Sequence, residues 1–89
     1  SNPIERKINE DDSERIKQEA IMQLPPRRKR IFEMSRFEGK SYEEISKELD
    51  ISISTVKNQM SKALETLRDF LRLNGDITLM IAFMAAGLV

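Results

Sequence analysis

Residues 51 to 64, ISISTVKNQMSKAL, set Ser, Thr, Lys, Asn and Gln between apolar residues that recur three and four positions apart. With Val56 and Met60 turned toward a core, Ser54, Lys57, Asn58, Ser61 and Lys62 fall on or beside the opposite face of one helix. Asn offers a donor and an acceptor together, which suits adenine, and Lys donates to guanine N7 or O6 or to phosphate. Ser54 and Thr55 lie near the helix start, where backbone amides are unpaired, and so suit a phosphate oxygen. A merely solvated face has the same composition. What lies around the helix decides between the two.

Just before it, Asp50, Ile51 and Ser52 leave room only for a sharp turn, with Asp50 where a left-handed residue is needed and Ser52 as N-cap. The helix that follows carries Ile53, Val56, Met60, Leu64, Leu67 and Leu71 as one apolar stripe, to about residue 73. The helix that precedes the turn opens at SYEE, where Ser41 and Glu44 can form a capping box, and places Tyr42, Ile45 and Leu49 inward. Ser46 is small enough for close helix approach. Two helices joined by a three-residue turn and locked by Ile45, Leu49, Ile51, Val56 and Met60 make the helix-turn-helix pattern, whose second helix lies in the major groove of DNA.

Two further helices are expected upstream. One spans roughly residues 11 to 23 with Ile16, Ala20, Ile21 and Leu24 inside, and Pro25 and Pro26 stop it. Pro26 opens the next, because a first-turn residue needs no amide hydrogen. That helix carries Ile31, Phe32, Met34 and Phe37 and is expected to end near Gly39. Its first turn holds the one dense basic cluster, Arg27, Arg28, Lys29 and Arg30. Cations there oppose the helix dipole, and a phosphate backbone would compensate them, so Arg27 and Arg30 are expected phosphate contacts. Tyr42 is read as a core residue.

Composition narrows the chemistry further. The chain has 89 residues, no Cys and no His, so thiolate chemistry, disulfides and the commonest metal ligand and general base are excluded. No nucleophile stands beside a base, no Gly-rich loop suits a nucleotide, and the carboxylates lack the spacing of a metal site. The expectation is no enzyme, no catalytic residue, no metal and no cofactor. Net charge is zero, yet residues 1 to 26 carry 4 basic and 6 acidic side chains while residues 27 to 72 carry 11 and 8. The helix-turn-helix half is the positive one. The fold expected is all-α, a small domain of four to five helices.

The run LPPRRKRIFEMSRFEGKSYEEISKELDISISTVKNQMSKALETLR, residues 24 to 68, resembles region 4 of bacterial RNA polymerase sigma factors of the extracytoplasmic-function class. The Leu-Pro lead-in, the FEGKSYEEI segment and the Ser-Thr-Val-Lys helix start stand in the family's order and spacing. The resemblance implies a promoter-binding domain, in the bacterial cytoplasm, that reads the minus-35 element of double-stranded DNA and docks on the β-subunit flap of RNA polymerase. It puts base contacts at Lys57, Asn58, Ser61 and Lys62, and backbone contacts at Arg27, Arg30, Ser41, Ser54 and Thr55. The recognition helix has Lys and Asn where many relatives have Arg, and Asp50 stands where Gly is usual.

One such module buries roughly 600 to 1,000 Å² on DNA, too little to select a promoter in a genome. A second DNA-reading domain is therefore expected elsewhere, as region 2 is in that family, and this chain reads as a C-terminal fragment. Residues 1 to 10 read as an expression remnant and linker, 11 to 75 as the helix-turn-helix domain, and 76 to 89 as an apolar tail forming a short helix capped by Asp76. The tail, ITLMIAFMAAGLV, would be about 20 Å long as a helix and so too short to span a membrane. It either packs on this domain or meets a partner: a second copy in a homo-oligomer, an anti-sigma factor, region 2 or polymerase. Two other readings of the whole remain open, the DNA-binding output domain of another helix-turn-helix regulator and a helical protein-interaction module.

Overall fold

The computed structural model describes residues 10–74. The expectations for the N-terminal linker and for the 76–89 tail, with its cap at Asp76, lie outside the described residues. Within them stand four helices, α1 (Glu10–Ile21), α2 (Pro26–Arg36), α3 (Tyr42–Leu49) and α4 (Ile53–Asn74), and no strand. The all-helical expectation is correct.

Each boundary has a local cause. After α1 the amides of Gln23 and Leu24 bond to the carbonyls of Ala20 and Ile21, a tightened turn that swings Leu24 into the core. Pro25 is extended, at φ −56 and ψ 152, and Pro26 takes the first position of α2. The end of α2 falls at Arg36, three residues before Gly39. Phe37 and Glu38 both donate to the Glu33 carbonyl, Lys40 donates to that of Met34, and Gly39 takes φ 68 in the widened loop. A side chain at Gly39 would meet nothing within 4 Å, so the backbone angle alone requires glycine there.

The core is one cluster drawn from all four helices. Ala20, Ile21 and Leu24 meet Ile31, Phe32 and Met34 of α2, Ile45 of α3, and Val56, Met60, Ala63 and Leu67 of α4. Leu71 is buried one turn further on. Burying a side chain of this size is worth roughly 1.5–3 kcal/mol. As the long element, α4 packs on each of the other three, chiefly on α2 and α3.

Three positions depart from the expected pattern. Phe37 is 44% exposed, with its ring edge-on to Phe32 at 5.8 Å between centroids and the Lys17 ammonium 5.4 Å above it. It caps the core rather than entering it. Ile53 is 39% exposed because it opens α4 at the rim, before the helix meets its neighbours. Ala63, absent from the expected stripe, is fully buried in its place between Met60 and Leu67, where a small residue lets helices approach.

Candidate nucleic-acid interface

The turn before α4 fixes the direction of that helix, and its polar groups are almost fully used. At the start of α3 the amide of Glu44 donates to Ser41 Oγ at 3.1 Å, and the amide of Ser41 donates to Glu44 Oε1 at 3.0 Å. The capping box is complete. Those bonds, the backbone one foremost, hold the Glu44 carboxyl below its ordinary value. At the other end Asp50 is left-handed, at φ 55 and ψ 51. The amides of both Asp50 and Ile51 donate to the Ser46 carbonyl, while Ser46 Oγ donates to the Ile51 carbonyl at 2.6 Å. Ser46 is thus a polar latch as well as a small residue. Ser52 then caps α4, its Oγ accepting from the Thr55 amide at 3.0 Å.

Beyond this frame the outer face of α4 is uncovered by the described residues. Ser54, Lys57, Asn58, Ser61 and Lys62 are all exposed, and none makes a side-chain hydrogen bond or ion pair among the described residues. Their spacing puts them on one side of the helix, opposite the buried Val56, Met60, Ala63 and Leu67. No Asp or Glu occurs from Ile51 to Leu64, so the first three turns carry only neutral and basic groups. Acidic residues begin at Glu65, and Asp69 is paired with Arg72 at 2.7 Å. Thr55 differs from the five. It is half-buried, and its hydroxyl lies 2.8 Å from that of Ser52, so it helps to build the helix start.

The basic cluster divides by side chain. Arg27 is exposed and makes no side-chain bond among the described residues. Arg28 donates from Nε to Gln59 Oε1 at 3.0 Å, which ties the start of α2 to the middle of α4. Lys29 Nζ lies 3.8 Å from Met22 Sδ. Arg30 is held by Glu38 at 2.6 Å, and Lys40 bridges Glu38 at 3.3 Å and Glu48 at 2.6 Å. The Arg30 hydrogen bond is the main reason the Glu38 carboxyl sits below its ordinary range. Sequence reading named Arg27 and Arg30 alike; among the described residues Arg27 is unengaged, whereas Arg30 has one nitrogen on the Glu38 carboxylate. It missed Arg28 and Gln59 as a pair, and spacing carries no sign of a contact between residues 31 apart.

Among the described residues no group of acidic side chains could hold a metal ion, and no helix is long and apolar enough to cross a membrane. A latched turn that presents a helix whose first three turns are polar and basic, without carboxylates, defines a helix-turn-helix DNA-binding domain. The family model described as Sigma-70, region 4 matches residues 16–67, which reach from α1 well into α4. The chain belongs to that family, whose members bind promoter DNA within sigma factors during transcription initiation. Region 4 is a DNA-binding rather than a catalytic unit. No curated protein and no solved structure matches the chain.

Proposed function

We propose that this domain reads the minus-35 element for a sigma factor of the extracytoplasmic-function class, in the bacterial cytoplasm, while docked on the β flap of RNA polymerase. Lys57, Asn58, Ser61 and Lys62 face base edges. Arg27, Arg30, Ser41, Ser54 and Thr55 face the phosphate backbone, Arg30 after leaving Glu38. The observation that carries the reading is the outer face of α4: five exposed polar and basic side chains without partners among the described residues, on a helix whose direction the Ser46 latch fixes. A face that served only solubility would tolerate carboxylates among the lysines, and these three turns have none.

The polymerase part of the proposal has its own test. A chemical-shift titration of the domain with a β-flap fragment should give saturable, localised shifts. Absence of shifts from a domain that still binds duplex DNA would contradict docking on the β flap.

A further inference from the structure

Two of the arginines in the basic run are chemically unlike. Arg27 is exposed and unengaged, whereas Arg28 is half-buried and spends its Nε–H on the side-chain oxygen of Gln59. Gln59 lies on the flank of α4, between the buried stripe at Val56 and Ala63 and the outer residues Thr55 and Lys62. The bond to the guanidinium commits one lone pair of the Gln59 oxygen on the α2 side, so the amide is not free to turn its acceptor and donor edge together toward adenine. It keeps two N–H donors, which meet no acceptor among the described residues. A guanidinium bond to the oxygen also polarises the amide and strengthens those donors. Among the described residues no carboxylate bonds to Arg28 or Gln59.

Resting on the DNA-binding reading above, we infer that Arg28 is a positioning residue. It fixes the Gln59 amide with its oxygen toward α2, so that the nitrogen donates to a backbone phosphate and Gln59 reads no base. The recognition helix is thereby registered on the duplex from its α2 flank. Arg28 acts through geometry here, and its charge alone does not replace it.

The test measures affinity for a panel of duplexes differing by single base pairs, at several salt concentrations, together with Tm. Arg28→Lys keeps the charge and loses the planar Nε–H. It and Gln59→Ala should each weaken every duplex alike, by roughly three- to tenfold, with the double variant no weaker than either single. The salt slope of Arg28→Lys should stay at the wild-type value. Gln59→Glu still accepts from Arg28 but turns a carboxylate toward phosphate, and should bind more weakly than Gln59→Ala. Wild-type binding by Arg28→Lys would overturn the inference, as would multiplied losses in the double variant or a loss confined to one base pair. So would a lowered Tm with DNA affinity intact. Arg27→Ala and Asn58→Ala separate the two levels. If they weaken binding while the Arg28 and Gln59 variants do not, only this inference falls; if they too change nothing, the DNA-binding reading falls with it.

Discussion

The α3–α4 turn and the outer face of α4 are adjacent in sequence and opposite in how they use their polar groups. In the frame of that turn, Ser41 and Glu44 at the start of α3 and Ser46 and Ser52 at the corner are each bound to backbone, and Asp50 accepts a left-handed conformation to close the corner. On the face, Ser54, Lys57, Asn58, Ser61 and Lys62 have no partner among the described residues. The same residue types serve both regions. Serine in the turn is structural because its hydroxyl meets an amide or carbonyl within the domain, and serine on the face is available because it meets none. A rigid frame with unengaged donors is the arrangement that lets binding energy go to a ligand, since the helix need not be ordered at the moment of contact.

Substitutions that damage the frame should cost stability, and those on the face should cost only recognition. The largest effect is expected from Ile45→Ala, which empties a fully buried site between α3 and α4. Its unfolding free energy should fall by about 2–5 kcal/mol in a denaturant titration. Next comes Asn58→Ala, which should lower affinity for the preferred duplex by about 1–3 kcal/mol relative to a duplex altered at the contacted base pair, with Tm essentially unchanged. Ser46→Ala removes the donor to the Ile51 carbonyl and should cost about 0.5–1.5 kcal/mol of stability by the same titration, with base preference retained. If Ser46→Ala instead altered base preference at full stability, the division between frame and face would be wrong.

The smallest expected effect is a pH dependence, and its sign follows from Glu38 and Glu44. Both carboxyls titrate below the ordinary value of 4.5 in the folded domain, Glu38 through Arg30 and Glu44 through Ser41. The unfolded chain therefore takes up protons first as pH falls. Their contribution is present above that value and is lost as pH drops through the lowered folded values. Both groups are exposed, so the decline should be shallow. Glu44→Gln, which still accepts from the Ser41 amide, should make it shallower in thermal melts taken between neutral and acid pH.

Legibility in the sequence followed the range of each interaction. The Ser41–Glu44 box, Pro26 at a helix start, left-handed Asp50 and the Ser52 cap join residues at most a few positions apart, and each could be read from residue type and spacing. The stripe of α4 was legible from its period, though Ala63 escaped because a small residue adds little to an apolar pattern, and Ile53 was placed inward without knowing where the neighbouring helices stop. Phe37 read as core for the same reason. The basic run was the least legible. Four adjacent cations look equivalent in sequence, yet packing of α2 on α4 and of the loop after α2 gives Arg28 to Gln59, Arg30 to Glu38, and leaves Arg27 to solvent. Only tertiary structure sorts them.

The most direct test of the central claim is selection of binding sites from randomised duplex DNA by the wild-type domain and by a variant with Lys57, Asn58, Ser61 and Lys62 all changed to Ala. The wild type should enrich one short motif, and the variant should enrich none while melting at nearly the same temperature. Recovery of the same motif by the folded variant would contradict the assignment of base reading to the outer face of α4.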